Sequence, residues 1–271
     1  MRILACSFFL VACGGDGGGT QEVDPTDVAF GDTALVVVVN PSINDANKKT
    51  VPAPGPTRPN LVIRSDDGIA DTTGADGIAV LAPLTAGART FTVKGDGIDA
   101  TFNVMLTANA LREIALSVDG STAQIMVNID YKTDTVVELT PDMPNSAVND
   151  ALKVSDRVVF FKGGMYTGDL DFSGSRVTMF GEGVLGGAVT LQGNVMVSGS
   201  DSRIRGAHIT GNVTMPASGL GLSFSRVDGT VSSTGSDATL LANALCGAET
   251  VSGSGSIVLG NAGAPPIATC P

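Results

Sequence analysis

A short glycine-centred phrase recurs five times in the second half of the chain, and it constrains the fold more than any other feature. Each copy places one glycine between two apolar or aromatic residues that lie a few positions apart. Steps of 19, 24, 18 and 18 residues separate the anchoring glycines, which are Gly168, Gly187, Gly211, Gly229 and Gly247. A period of this length is typical of solenoids, in which each repeat forms one turn of a stack.

Composition favours strands within these turns. Aromatic residues make up only 4% of the chain, and its 35 glycines suit short strands joined by tight turns. Serine- and glycine-rich phrases between the copies add a second corner, which predicts about five coils of two or three strands each. The first inward ladder of stacked side chains is predicted at Tyr166, Leu185, Ile209, Val227 and Leu245. The second is predicted at Leu170, Val189, Val213, Val231 and Val251.

A short amphipathic helix is predicted just before the repeats, at residues 146–153, where Asn145 or Ser146 can cap it. An apolar strand and a Gly-x-Tyr phrase at Gly164 to Tyr166 follow the helix. This order resembles the opening of pectin-lyase-like right-handed parallel β-helices, and the resemblance covers residues 147–259. It implies that the helix covers the N-terminal end of the coils. The tail, residues 262–271, is expected to cover the other end.

The first half of the chain is predicted to be a β-sandwich. Short apolar runs alternate with Asp-Gly turns between residues 33 and 120. Residues 72–81 and 84–93 resemble strands of bacterial immunoglobulin-like (invasin-type) and carboxypeptidase-regulatory-like domains. Residues 121–142 form a further extended stretch that links the two bodies or starts the second. The sequence thus predicts an all-β protein with a sandwich at 33–120 and a helix-capped parallel β-helix at 121–271.

The N-terminus reads as an export signal. Leu10, Val11, Ala12 and Cys13 follow a short apolar run and resemble the lipobox of bacterial lipoproteins. The resemblance implies a signal peptide at 1–12, a lipid on Cys13 and, since Gly14 follows, an outer-membrane location. Residues 13–32 would be a flexible tether, on the periplasmic or the cell-surface side. An ordinary secretory signal with incidental cysteines is the alternative.

Cys246 and Cys270 remain after the signal and the lipid site are assigned. In an oxidising envelope compartment they are predicted to form a disulfide that pins the tail to the last full repeat. No cofactor is predicted. The net charge of −11 and the lack of a basic run argue against nucleic acid as a partner. The expected partners are the membrane, through the lipid, and a surface glycan or another envelope protein; the sequence gives no oligomeric state.

The candidate catalytic residues are His208, Arg226 and Asp228, which the repeat places outward on neighbouring coils, with Arg203 and Arg205 nearby. Enzymes of the resembled superfamily carry such side chains on one strand face, and an arginine beside a carboxylate can bind an acidic sugar. The competing interpretation is surface decoration. The few phenylalanines are expected mostly at inward or turn positions.

A calcium site in the sandwich is one interpretation of its acidic residues, because oxygen ligands are dense there. Asp-Gly turns explain the same four residues, Asp66, Asp67, Asp71 and Asp76. The function expected from the sequence is that of a lipid-anchored, non-catalytic envelope or surface protein, acting as an adhesive or binding module or as a spacer. The alternative is a polysaccharide-active enzyme, a lyase, hydrolase or epimerase of the pectin-lyase-like superfamily, and a periplasm-facing assembly factor is a third candidate.

Overall fold

The computed structural model describes residues 32–39, 59–74, 77–132, 136–182 and 188–259. Over these residues the chain is all-β with one helix and several parallel sheets. Some of the residues that carry sequence predictions lie outside the described part, namely the signal peptide at 1–12, nearly all of the tether, Cys13, Asp76, Leu185 and Cys270 with the tail.

Two four-stranded sheets form the first body and share an apolar core. The inner sheet has the order β4-β1-β7-β8, and the outer sheet has the order β3-β2-β5-β6. Only the β1–β7 pairing among them is parallel. The strands are β1 Ala34–Val39, β2 Val62–Ser65, β3 Ala70–Thr72, β4 Ile78–Leu81, β5 Gly87–Gly95, β6 Ile98–Leu106, β7 Ala110–Asp119 and β8 Thr122–Lys132.

The inner sheet extends past residue 120, the predicted end of the sandwich. β8 pairs with β7 along its length, from Asp119 opposite Thr122 to Ala110 opposite Lys132. Gly120, whose φ of +54° favours glycine, lies in the tight connection between the two strands. The stretch after 120 therefore completes the first body before β9, Val136–Leu139, joins the second.

Three parallel sheets form the second body, which is compatible with a parallel β-helix. The chain visits them in a fixed order, and five successive coils of the described chain place one strand in each. The first coil sheet contains β9, β10 Arg157–Phe161, β13 Val177–Gly181, β16 Arg203–Arg205, β19 Gly221–Ser223, β22 Thr239–Leu241 and β25 Ile257–Leu259. The second coil sheet contains β11 Gly164–Thr167, β14 Val189–Gln192, β17 His208–Ile209, β20 Arg226–Val227 and β23 Ala244–Leu245. The third coil sheet contains β12 Leu170–Phe172, β15 Val195–Val197, β18 Val213–Met215, β21 Val231–Ser233 and β24 Glu249–Val251.

The second copy of the glycine phrase was assigned to the wrong residues. Tyr166 pairs with Leu191, and Leu191 pairs with Ile209, so Leu191 holds the ladder position predicted for Leu185. A Cβ on each later glycine of the column would lie 2.3–2.6 Å from the carbonyl oxygen of the glycine before it. The column is Gly168, Gly193, Gly211, Gly229 and Gly247, with steps of 25, 18, 18 and 18 residues.

The connection between β13 and β14 causes this error. It runs from residue 182 to 188, whereas the next coil turns the same corner with Gly206 and Ala207 alone. A phrase inside the longer connection matches the repeat in composition without sharing its position. The second ladder changes in the same way at this coil, where Val195, not Val189, pairs with Leu170. A separate error affects the last coil, where Glu249, not Val251, pairs with Val231.

The predicted helix is present as α1, Asn145–Leu152, and it covers the N-terminal end of the third coil sheet. Its N-cap is Pro144 rather than Asn145 or Ser146, because the helix already begins at Asn145, and no side chain caps it. Val148 and Leu152 are buried in the core of the coils.

The Asn149 side chain makes the hydrogen bonds that the backbone of a neighbouring strand would otherwise make. Its Oδ1 accepts from Asp171 N at 2.7 Å, and its Nδ2 donates to Asp169 O at 3.1 Å. The first strand edge of the sheet therefore finds hydrogen-bond partners on a helix.

Replacing Asn149 with alanine is expected to lower the free energy of unfolding by about 1–3 kcal/mol, because two backbone groups lose their partner. Urea denaturation measures this value. The matched control is Asp150→Ala on the same helix, which removes an exposed pair with Lys153 and is expected to cost less than about 0.5 kcal/mol. Equal effects of the two changes would contradict the capping role.

One face of the inner sheet packs against the outer sheet. Its opposite face packs against the outward face of the first coil sheet. β1 is buried at every position, since alternate residues contact the outer sheet and the coils. In contrast, β6 alternates between buried and exposed residues, as expected of a strand with one solvated face. The apolar interface includes Val36, Val80 and Ile129 from the sandwich and Phe160, Phe180, Phe224, Leu241 and Leu259 from the coils.

Candidate functional site

His208, Arg226 and Asp228 lie together on the outward side of the second coil sheet. His208 pairs with Arg226 in register, and each precedes a buried residue of the inward ladder. Because side chains alternate along a strand, both therefore face out of the coils. Asp228 Oδ2 lies 2.8 Å from His208 Nε2, and Asp228 Oδ1 accepts from Arg226 Nε at 2.7 Å.

The cluster is partly buried, and Asp228 lies at its centre. The exposed fractions of the side chains are 27% for His208, 14% for Arg226 and 28% for Asp228. Partial burial opposes ionisation of Asp228, but the hydrogen bonds from His208 and Arg226 outweigh it. They hold the pKa of Asp228 below its ordinary value. At neutral pH this residue is a carboxylate that accepts from both neighbours.

This arrangement fixes the imidazole through a carboxylate, as acid–base sites often do. A proton-transfer pair also needs a second titratable group near the reacting atom. Along the outward column the neighbours are Met165 and Thr190 on one side of His208 and Ala244 beyond Arg226. None of these three side chains is an acid or a base at neutral pH, so the column supplies no partner for His208.

Arg203 and Arg205 do not belong to this cluster, although the sequence placed them near it. Both lie on β16 in the first coil sheet, and Arg205 is completely buried against the inner sandwich sheet. Arg205 Nε donates to Glu113 Oε2 at 2.9 Å, and Glu113 is also completely buried. The prediction fails because β16 faces the sandwich, which was not expected to contact the coils.

The Glu113 site includes aromatic and hydroxyl groups from both bodies. The Arg205 guanidinium lies between the rings of Phe180 and Phe224, 4.9 Å from each centroid. Tyr131 Oη lies 3.4 Å from Glu113 Oε1 and 3.1 Å from Ser223 Oγ. Burial raises the pKa of Glu113, and the charge and hydrogen bond of Arg205 oppose this rise only in part. Burial raises the pKa of Tyr131 as well.

Two phenylalanines differ from the expectation of inward or turn positions. Phe160 and Phe180 lie on strands and point outward from the first coil sheet into the apolar interface. Phe224 reaches the same interface from the corner that follows β19, which is a turn position as expected. Phe161 and Phe172 are in the core of the coils, as expected. The sequence signal for the outward Phe160 was its neighbour Phe161, since adjacent apolar residues on a strand face opposite sides.

The candidate calcium ligands use their oxygens within the protein. Asp66 accepts from Thr90 N at 3.3 Å and lies 3.4 Å from Arg89 Nη1. Asp67 accepts from the hydroxyl of Ser65 and from Thr85 N, and these bonds hold its pKa low against partial burial. The Asp71 carboxylate accepts from the backbone N–H groups of Thr72 and Val80, both at 2.7 Å. Asp76 lies outside the described residues, and the described part contains no cluster of three or more His, Cys, Asp or Glu residues fit for a metal ion.

A shallow groove of about 600 Å³, which was not predicted from the sequence, lies between α1 and the third coil sheet. Its acidic side chains have partners: Asp150 pairs with Lys153, Asp169 accepts from Asn194 N at 2.8 Å, and Asp171 accepts from Ser198 Oγ at 3.3 Å. Asn194 in turn bonds to the next coil, where its Oδ1 accepts from Asn212 N at 3.0 Å. These bonds join neighbouring coils.

No family model, no curated protein and no solved structure matches the chain. Among the described residues, no helix is long and apolar enough to cross a membrane. Cys246 follows β23 on the second coil sheet, in the same outward column as Asp228, and its pairing with Cys270 stays a prediction.

Replacing Asp228 with asparagine is expected to destabilise the protein by up to about 1 kcal/mol at pH 7. Because the folded pKa lies below the unfolded value of about 3.9, the carboxylate stabilises the fold above that pH. The difference between wild type and variant should shrink as the pH falls from about 5 through the folded pKa. Urea midpoints across this range measure it. A stability difference that persists undiminished at the acid end would refute the ionic role. The control is Asp99→Asn, which removes the carboxylate of the exposed pair with Lys94.

Proposed function

We propose that this chain is a non-catalytic, lipid-anchored envelope or surface protein whose folded body is a rigid binding module. One observation carries the non-catalytic part: both oxygens of the carboxylate at the centre of the outward cluster are hydrogen-bonded within the cluster. Asp228 gives one oxygen to His208 and the other to Arg226, and its pKa is low. A general acid or base works best with a pKa near the operating pH, and Asp228 departs from that requirement.

The rigidity of the body supports a binding or spacer role. The sandwich and the coils share an apolar core and a buried ion pair, so they move as one unit. The second coil sheet and its His208–Arg226–Asp228 cluster lie on a different side of the coils from the sandwich. A partner that engages this surface would meet an ordered array of strands, which lowers the conformational cost of binding.

The finer assignments rest on the sequence and remain part of the proposal. They are a pectin-lyase-like right-handed β-helix, an immunoglobulin-like sandwich, the Cys246–Cys270 disulfide and an outer-membrane location through a lipid on Cys13. The three-sheet coil with a helix at its N-terminal end supports the first of these. The two facing sheets support the second in architecture.

Binding to a glycan array and to cell-surface extracts tests the proposed function. The full-length protein and its His208→Ala/Arg226→Ala variant are compared, with Lys94→Ala/Asp99→Ala as a matched loss of an exposed pair on the sandwich. Selective binding that only the first variant loses would support a site on the second coil sheet. Binding that both variants keep would exclude this surface and leave the sandwich or the third coil sheet as the binding face.

Loss of the lipid anchor is tested separately. The Cys13→Ala variant is expected to leave the membrane fraction and appear in the soluble fraction, because the acyl chains supply the hydrophobic anchor. Cell fractionation and immunoblotting measure the distribution, and Cys6→Ala within the predicted signal is the control. A Cys13→Ala variant that stays with the membrane would refute the anchor without affecting the binding proposal.

An enzyme is the second candidate, and the 2.8 Å contact between His208 and Asp228 is the observation that favours it. A carboxylate that orients an imidazole can prepare it as a general base toward a sugar hydroxyl or a proton beside a uronate. Incubation of uronate polysaccharides with the wild-type protein and with His208→Ala separates the two functions. Cleavage or epimerisation that depends on His208 would replace the non-catalytic proposal.

A further inference from the structure

The first coil sheet presents the sandwich with a repetitive surface. Its coils follow one another at the strand spacing of about 4.8 Å, so a slide by one coil produces a similar surface. The outward column that meets the inner sheet is apolar toward both ends and polar in the middle. Its members, in order along the stack, are Phe160, Phe180, Arg205, Ser223, Leu241 and Leu259.

Apolar contacts alone discriminate poorly between neighbouring positions of such a stack. The hydrophobic effect is non-directional and depends on the area removed from water. Ala34, Val36 and Val38 of β1 and Ile78 and Val80 of β4 offer the coils only aliphatic side chains. A displaced arrangement would still bury these residues against Phe180 or Leu241. The apolar part of the interface therefore favours contact without selecting one position along the coils.

The Glu113–Arg205 pair distinguishes the positions. Arg205 is held on both sides by rings from the adjoining coils, and its Nε lies 2.9 Å from a carboxylate that is completely buried. After a slide by one coil, Glu113 would face Phe180 or Ser223, the neighbours of Arg205 in the outward column. The carboxylate would then be buried without its cation, and the guanidinium, still between its two rings, would face aliphatic side chains of the inner sheet such as Val36 or Ile129.

We infer that the buried Glu113–Arg205 pair sets the position at which the coils dock on the sandwich. It acts as a single polar pair does in the core of a coiled coil, where it selects one register among several that apolar contacts allow. Tyr131 of the sandwich and Ser223 of the coils favour the same position, since their hydroxyl oxygens lie 3.1 Å apart beside the pair. This inference is independent of the proposed binding function.

Distance measurements between the two bodies test the inference. Spin labels on non-canonical residues at Met105 of the outer sheet and Met196 of the third coil sheet, both exposed, report the docking position in the full chain. The wild type should give one narrow distance distribution. The Glu113→Leu/Arg205→Met variant, which replaces the pair with apolar groups, should add a population displaced by several ångström, up to about the coil spacing of 4.8 Å. One unchanged narrow distribution in that variant would overturn the inference.

Two further variants keep the test decisive. Arg226→Met/Asp228→Leu removes an ion pair from the second coil sheet and should retain the single wild-type distance; a second population there would show that the effect is not specific to the interface. Glu113→Leu removes the acceptor for Arg205 and keeps a side chain of similar volume, so it serves if the double variant fails to fold, as judged by circular dichroism. A single wild-type distance in Glu113→Leu would also overturn the inference.

Discussion

Replacing Arg205 with methionine is expected to lower the free energy of unfolding by about 3–5 kcal/mol, because Glu113 then remains buried without its cation. The methionine keeps part of the apolar stem between Phe180 and Phe224, so little of the loss comes from a cavity. Urea denaturation of the full chain at pH 7 measures the change. The loss should be accompanied by a further rise in the pKa of Glu113, since Arg205 is the main group that opposes the effect of burial.

The double variant Glu113→Leu/Arg205→Met separates the lost interaction from the unpaired charge. It should be about as stable as the wild type, within about 1 kcal/mol, or more stable, because an apolar pair removes both desolvation costs. The exposed pair of Lys94 and Asp99 supplies the control, since deleting it should change stability by less than about 1 kcal/mol. If Arg205→Met and the exposed-pair variant lose similar amounts, the buried pair contributes no more than a surface pair.

Replacing Gly211 with alanine is expected to cost about 3 kcal/mol through a clash at the centre of the glycine column. The new Cβ would lie 2.3 Å from the carbonyl oxygen of Gly193 and 2.6 Å from its carbonyl carbon. These are backbone atoms of the preceding coil, and they can move only if the strand pairing of both coils adjusts. Urea denaturation and the strand signal in circular dichroism measure the effect.

Gly97→Ala is the matched control for this change. Gly97 lies in the β5–β6 turn at a φ of +77°, and its Cβ would meet no atom within 4 Å. Its substitution should cost only about 1–2 kcal/mol, the strain of a left-handed conformation. A cost at Gly211 no larger than that at Gly97 would mean that the coils tolerate the extra methyl group, and the close approach of the column would then not explain its glycines.

The sequence identified the coils because their period is short and local. An 18-residue step aligns His208 with Arg226 and brings Asp228 beside them, so the outward cluster followed from the repeat alone. The helix at Asn145–Leu152 was also predictable, since its apolar stripe lies within one segment, although the expected caps, Asn145 and Ser146, do not cap it. The second coil was misaligned because its longer corner contains a phrase of the same composition, and composition does not distinguish a corner from a strand.

The contact between the two bodies could not be predicted in this way. Glu113 and Arg205 are 92 residues apart, and neither belongs to a motif. A run of six apolar residues such as Ala34–Val39 is typical of a strand covered on both faces, but it does not identify what covers the second face. The outward direction of Phe180 and Phe224 likewise depends on the sandwich, which lies far away in the sequence.

The covered face also limits how the repeat can evolve. A solenoid with solvent on every side can gain or lose a unit by duplication or deletion, since each unit contacts only its neighbours. Here an extra 18-residue unit between Gly211 and Gly229 would move Leu241 and Leu259 one strand spacing away from the sandwich residues that they contact. The number of coils between Phe160 and Leu259 is therefore matched to the dimensions of the sandwich, and new units are compatible with this interface only beyond its ends.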